Sequence, residues 1–199
     1  MQNNHECNRQ TFSALVPERV GRELYAPGFF AAVDAGVGSV MCAFNRVNDT
    51  FNCQSHAGLQ SLLKAEGKFA GWVVTDWGAQ HELFASANGG LDQQMEWVQN
   101  ANTTRYGQPG FASEAFRHGL ANGSVPMARL DDMARRILTP MYALGLVDDP
   151  PAPPHNTTTV TRSAENDALA LKLAEASMVG SWFIQPRLVL PVIAEQGSP

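Results

Sequence analysis

In the stretch GKFAGWVVTDWGAQHEL, residues 67–83, an acid stands directly after a short apolar run. Val73 and Val74, preceded by Trp72 and bounded by Gly71 and Gly78, read as a strand apolar on both faces, the pattern of a parallel sheet covered by helices. Asp76 then stands at the carboxyl end of that strand, where the loops of α/β folds converge on one cleft and chemistry is done. The same residue can instead cap a helix that starts at Ala79. The residues alone leave both roles open. Trp77 can wall a cleft or fill a core. His5, His56, His81, His118 and His155 show no ligand spacing and read as surface residues, and Cys7, Cys42 and Cys53 form no Cys-x-x-Cys pair, so no metal site is expected.

An acid at a strand end needs a sheet behind it. Residues 17–35, PERVGRELYAPGFFAAVDA, carry Val20, Leu24, Phe29, Ala32 and Val33 near helical spacing, with Pro27 expected to kink or divide the helix. A short strand through Val40–Ala43 follows the stop signals Gly36 and Gly38. HAGLQSLLKAEGKF then puts Leu59, Leu62 and Leu63 on one helical face and ends at Gly67, before the strand that carries Asp76. Helix, strand, helix, strand, helix is the order of an α/β protein with right-handed crossovers. FASEAFRHGLANG and PMARLDDMARRILTPMYALGL read as two further helices, with Gly123 and Gly145 as terminators and Pro140 as a kink. VDDPPAPPHNTTTVTR reads as a linker, and an amphipathic helix is expected from Ser163. Two good strands cannot close a barrel, so the chain reads as part of a larger fold.

At 44% apolar residues the 199-residue chain is long and apolar enough for one ordinary core. Its net charge of −5, with scattered basic residues, gives no footprint for nucleic acid or an anionic membrane. No apolar run is long enough to span a bilayer, and the first residues have neither the basic start nor the apolar stretch of a signal peptide. Four Asn-x-Ser/Thr sequons, at Asn48, Asn102, Asn122 and Asn156, all fall in loop-like stretches and lean towards a secreted, glycosylated protein. In that compartment Cys42 and Cys53 could close a short disulfide loop; otherwise they are two reduced thiols near a strand end.

Several segments resemble glycoside hydrolase family 3, the β-glucosidase and β-xylosidase group. GVGSVMCAFNRVND resembles the family segment whose strand ends in Met-Cys-Ser-Tyr-Asn, and GWVVTDWGA resembles its Val-Val-Ser-Asp-Trp motif. NGGLDQQM, RLDDMARRIL and LALKLAEASMV resemble the segments that follow, in the same order. The resemblance implies an α/β fold: residues 1–147 as the C-terminal part of an incomplete (β/α)8 TIM-type barrel, 148–162 as a linker, 163–179 as the first helix of an α/β sandwich domain, and 180–199 as an unmatched tail.

It also implies a retaining exo-acting β-glycosidase that removes terminal β-linked sugars from a small oligosaccharide or glycoside, with β-xylosidase as a variant and a silent sugar- or partner-binding remnant as the alternative. Asp76 becomes the catalytic nucleophile, with Trp77, Met41 and Phe44 lining the sugar subsite. Phe44 stands where the family has a Tyr whose hydroxyl donates to the nucleophile. Asp92 and Met95 read as structural. No metal or organic cofactor is implied, since two carboxyl groups about 5 Å apart suffice for retention. The family's acid/base Glu comes from its second domain, and Glu195, in the unmatched tail, is not assigned that role. The family's sugar-gripping Lys-His pair precedes NNHECNR, so the chain by itself is expected to be inactive. The parent protein is expected to be extracellular; the oligomeric state is not legible.

Overall fold

The computed structural model describes residues 5–95, 98–100, 103–104, 109–150 and 162–178. The chain divides into two compact units, Met1–Pro151 and Ala152–Pro199.

The first unit is organised around two parallel strands, β2 (Ser39–Cys42) and β5 (Trp72–Thr75), paired from Ser39 opposite Trp72 to Cys42 opposite Thr75. Just before the two strands begin, a Cβ on Gly71 would lie 2.0 Å from the Gly38 carbonyl oxygen. Only a residue without a side chain fits between those backbones. Residues 92–95 take the next position in the sheet: Val74 and Gln93 form a parallel bridge, Thr75 N–H donates to Gln93 O at 3.1 Å and Gln93 N–H to Val73 O at 2.9 Å. The two-stranded sheet is thus extended by a single bridge at Gln93 that the apolar pattern does not show.

Before β2, the helical stretch is divided at Pro27, which has no N–H to bond back along the helix. A short α1 (Glu18–Val20) runs into a wide π-type segment, Gly21–Tyr25, and α2 (Ala26–Asp34) follows. Between β2 and β5 lies a second π-type helix, Ala57–Glu66, whose Leu59 and Leu63 are buried. With Cys42, Phe44, Cys53, Phe69, Val73, Ala79 and Leu91 they form the main core. α3 (Leu83–Gly89), α4 (Glu114–Ala121) and α5 (Met127–Ala143) build a second cluster from Leu83, Ala87, Phe116, Val125 and Met133. Ser113 caps α4 by accepting from Phe116 N–H at 3.2 Å, and α5 contains Pro140 and ends before Gly145, whose φ of 71° suits glycine.

The expectation of only two strands is corrected by small sheets as well. β3 (Arg46–Val47) and β4 (Thr50–Phe51) form a hairpin, and β1 (Ser13–Ala14) pairs in parallel with β3. Asn48 and Asp49, both at positive φ, make its two-residue turn, and the Asn48 side chain bonds the Val16 backbone twice, accepting from N–H at 2.8 Å and donating to the carbonyl at 3.0 Å. β6 (Val98–Asn100) and β7 (Thr103–Thr104) pair antiparallel.

In the second unit, α6 (Ala164–Ser177) begins at Ser163, whose hydroxyl accepts from Asn166 N–H at 3.1 Å, and Arg162 pairs with Asp167. Every described side chain of α6 is exposed, including Leu169, Leu171 and Leu173.

Candidate active site

Asp76 follows directly on β5, half-buried, and its N–H donates to Cys42 O at 3.4 Å, across to the end of β2. Its Oδ1 accepts from Trp77 N–H at 3.0 Å, and its carbonyl accepts from Ala79 N–H at 3.1 Å in a tight turn that places Gly78 at φ 82°. This corrects the capping role. No helix starts at Ala79; α3 starts at Leu83 with Glu82 as its N-cap residue, so the carboxylate serves a turn.

Trp77 is 51% exposed beside Asp76, and Met41 on β2 is 56% exposed. Large apolar side chains left in water at the ends of two paired strands form a surface rather than a core. Phe44, two residues beyond β2, is 4% exposed and belongs to the main core, with the Arg9 guanidinium 4.9 Å above its ring. The structure therefore brings Met41, Asp76 and Trp77 to strand ends and packs Phe44 beneath the surface.

Cys42 and Cys53 form a disulfide, with Cα atoms 5.2 Å apart, that ties the end of β2 to the 3₁₀ turn Asn52–Gln54 after the β3–β4 hairpin. Cys7 is free and exposed. Asn48 and Asn122 are exposed; Asn122 Oδ1 accepts from Ser124 N–H at 2.9 Å. Asn102 and Asn156 lie outside the described residues, as do His155, Glu195 and the tail 180–199.

His81 departs from the surface role expected of it. Its ring stacks on Phe51 with centroids 3.4 Å apart, and the Arg46 guanidinium lies 4.3 Å from the centroid of the Phe51 ring. Burial, and then the Arg46 charge, push the imidazole below its ordinary pKa. The stack fastens the loop after Asp76 to the β3–β4 hairpin.

A charged cluster that local sequence reading missed lies behind β5. The buried Asp92 carboxylate bonds Lys64 Nζ at 2.7 Å and Arg129 Nη2 at 2.5 Å. Burial lowers the Lys64 pKa to about 8, against the opposing pull of Asp92. Arg129 also binds Asp132, which Arg135 and Arg136 hold below the usual carboxylate range despite its partial burial. The signal available was a cation at a core-facing helical position, Lys64 beside Leu63 and Arg129 four residues before Met133.

A pocket of about 400 Å³ lined by Val16, Arg22, Asn48, Ser55, Leu62 and Glu66 is not lined by Met41, Asp76 or Trp77. Among the described residues no group of three or more His, Cys, Asp or Glu could hold a metal ion, and no described helix is long and apolar enough to cross a membrane.

Parallel strands linked through helices, with an acid and an exposed tryptophan just past the end of one, define an α/β protein with a carboxylate at a strand end. The model of the glycosyl hydrolase family 3 N terminal domain matches residues 8–140, and the chain belongs to that family. It is 43% identical over 145 residues to "Probable beta-glucosidase L" of Aspergillus terreus, covering 71% of this chain and 19% of that protein. Among solved structures, the beta-D-glucoside glucohydrolase of Trichoderma reesei superposes with a TM-score of 0.71 at 36% identity, covering 82% of this chain and 22% of that one. DesR, a beta-glucosidase of Streptomyces venezuelae in complex with D-glucose, gives a TM-score of 0.71 at 34% identity over 87% of this chain and 22% of that one. The chain spans about a fifth of the length of the curated relatives it matches.

Proposed function

We propose that this chain is part of a retaining, exo-acting β-glycosidase of the β-glucosidase type, with Asp76 as the nucleophile that attacks the anomeric carbon. The observation that carries this reading is the position of Asp76: a half-buried carboxylate directly after β5, its Oδ1 fixed by Trp77 N–H, in a family of glycosyl hydrolases. Trp77 offers an aromatic face to the apolar side of a pyranose and Met41 adds apolar surface, while Phe44 lies buried in the main core. Retention requires attack by Asp76, a covalent glycosyl ester, and a second carboxyl that first protonates the leaving oxygen and then activates water. That acid lies outside this chain in the proposal, so the chain alone does not turn over substrate.

On this reading residues 1–147 are the later part of a (β/α)8 barrel, 148–162 a linker and 163–179 the first helix of a sandwich domain. Glucose is the favoured sugar over xylose, because the relatives carry glucosidase names. The parent protein is extracellular and glycosylated at its sequons, a reading supported by the disulfide and by exposed Asn48 and Asn122.

The test is a 2-deoxy-2-fluoro glucoside with a reactive leaving group, applied to a polypeptide that joins this chain to the remaining family segments. The fluorine slows both steps while the leaving group restores only the first, so the ester accumulates. The added mass is expected on the peptide containing VVTDWGA and is expected to vanish in Asp76→Asn. Labelling of another carboxylate, with Asp76→Asn still active, refutes the assignment.

A further inference from the structure

The carboxylate of Asp92 bonds β5, the strand that Asp76 follows. Its side chain is 0% exposed, and its two oxygens have different duties. Oδ1 accepts from Lys64 Nζ at 2.8 Å and from Arg129 Nη2 at 2.5 Å. Oδ2 accepts from Val73 N–H, in the middle of β5, at 2.8 Å, with Lys64 Nζ also 2.7 Å away. The two cations are themselves anchored to the backbone around Asp92. Lys64 Nζ donates to Gly90 O at 2.7 Å; Arg129 donates to Ala87 O and Leu91 O, each at 2.8 Å.

Residues 92–95 run beside β5 through the single bridge at Gln93, and Val73 O accepts from both Asp92 N–H at 3.0 Å and Gln93 N–H at 2.9 Å. Val73 N–H meets a side-chain oxygen where a longer strand would offer a carbonyl. A buried carboxylate with two buried cations is an expensive way to obtain stability alone, since apolar groups of similar volume often serve as well or better. Its best-attested use is to fix register. For a strand, register matters in steps of about 3.3 Å, and a catalytic group tolerates displacement of only about 0.5 Å.

We propose that Asp92 is a positioning residue for Asp76: clamped by Lys64 and Arg129, it fixes β5 along its axis and so fixes where the carboxylate three residues beyond Val73 is presented. The proposal rests on the reading of Asp76 as nucleophile. It requires two acceptor oxygens in one side chain, which Asn cannot supply. In Asp92→Asn the amide must turn its NH2 either towards Val73 N–H or towards the cations, and donor faces donor in both cases. Replacing Lys64 as well removes the cation that lies near both oxygens, so that with the amide oxygen on Val73 only the Arg129 contact stays donor against donor, and Arg129 keeps its carbonyl partners Ala87 and Leu91 and its partner Asp132.

The experiment is amide hydrogen exchange by NMR on the full chain, comparing wild type, Asp92→Asn and the double variant Asp92→Asn/Lys64→Met. In Asp92→Asn, exchange at Val73, Thr75 and Asp76 is expected to quicken by about tenfold or more while the amides of α4 keep their protection. In the double variant, where the Arg129 contact is the one clash left, those three amides are expected to recover part of their protection, and the Asp76 and Trp77 resonances to move back towards their wild-type positions. A merely structural role predicts the opposite, because a second core substitution would loosen the strand further. The proposal is overturned if the single variant leaves β5 at wild-type exchange, if protection falls equally in α4, or if the double variant exchanges as fast as the single. These readings do not depend on turnover. If fluoroglycoside labelling misses Asp76, the nucleophile reading falls, while the exchange data still report whether Asp92 holds β5.

Discussion

Asp76 and Cys42 meet across the ends of two parallel strands, the Asp76 N–H donating to the Cys42 carbonyl at 3.4 Å. Because Cys42 is bonded to Cys53, the strand end that presents Asp76 is tied through one residue to the 3₁₀ turn beyond β4. Perturbing that tether reaches the candidate site without touching the acid.

The disulfide closes a loop with a sequence separation of 11, for which chain entropy gives about 2–3 kcal/mol of stability. The Cys42→Ala/Cys53→Ala variant is expected to lose about that much in urea unfolding, and reductant should lower the wild-type midpoint but not the variant's.

Gly71→Ala places a methyl 2.0 Å from the Gly38 carbonyl, in backbone that cannot step aside. A loss of about 1–3 kcal/mol, or more, is expected, together with weaker β2–β5 pairing. Gly28→Ala, where a Cβ meets nothing within 4 Å, is the control and should change stability far less.

Lys64 in the folded chain titrates at about 8, below its ordinary value of 10.5. Between those values the unfolded chain holds a proton that the folded chain has released. The contribution of this group to stability therefore rises with pH across that window, by on the order of 3 kcal/mol at most, and the cost of burying the charge is fully present below about pH 8. Unfolding measured against pH should show that rise in wild type relative to Lys64→Met; parallel curves would contradict it.

His81 behaves differently, on the acid side. Its pKa is depressed from 6.5, so as pH falls the unfolded chain takes up the proton first and stability drops below about pH 6.5. The positive Arg46 opposes the imidazolium, and Glu82 favours it. His81→Phe keeps a ring against Phe51 and removes the titration. Wild type is expected to lose stability relative to this variant between about pH 7 and about pH 5, as read by thermal melting.

The parts of the fold that could be read in the sequence were those with repeated local signals. Apolar residues at helical spacing and the run around Val73 marked the main helices and both principal strands, and the ordered motifs marked the family. β1, β3 and β4 have two residues each, too few to show any period, although Asn48-Asp49 is a turn signal for the hairpin. The Lys64–Asp92–Arg129 cluster joins residues 28 and 37 positions apart, and no local pattern announces such a contact. His81 looked exposed because its cover, Phe51, comes from a distant hairpin. Asp76 was ambiguous for a different reason: a turn and a helix cap use the same residue types, and only the late start of α3 at Leu83 separates them.

The carboxylate on Val73 also bears on what this chain does to its neighbours at high concentration. A strand edge with free N–H and C=O groups is a template on which another molecule can add a strand and begin to aggregate. Along the Val73–Thr75 edge of β5, Val73 N–H is taken by Asp92, Val73 O by Asp92 and Gln93 N–H, and Thr75 N–H by Gln93 O. An intruding strand would have to displace those bonds and uncover two buried cations to gain any of its own. The arrangement at the back of β5 therefore works against sheet extension there, and keeps the strand that carries Asp76 from being consumed by intermolecular pairing.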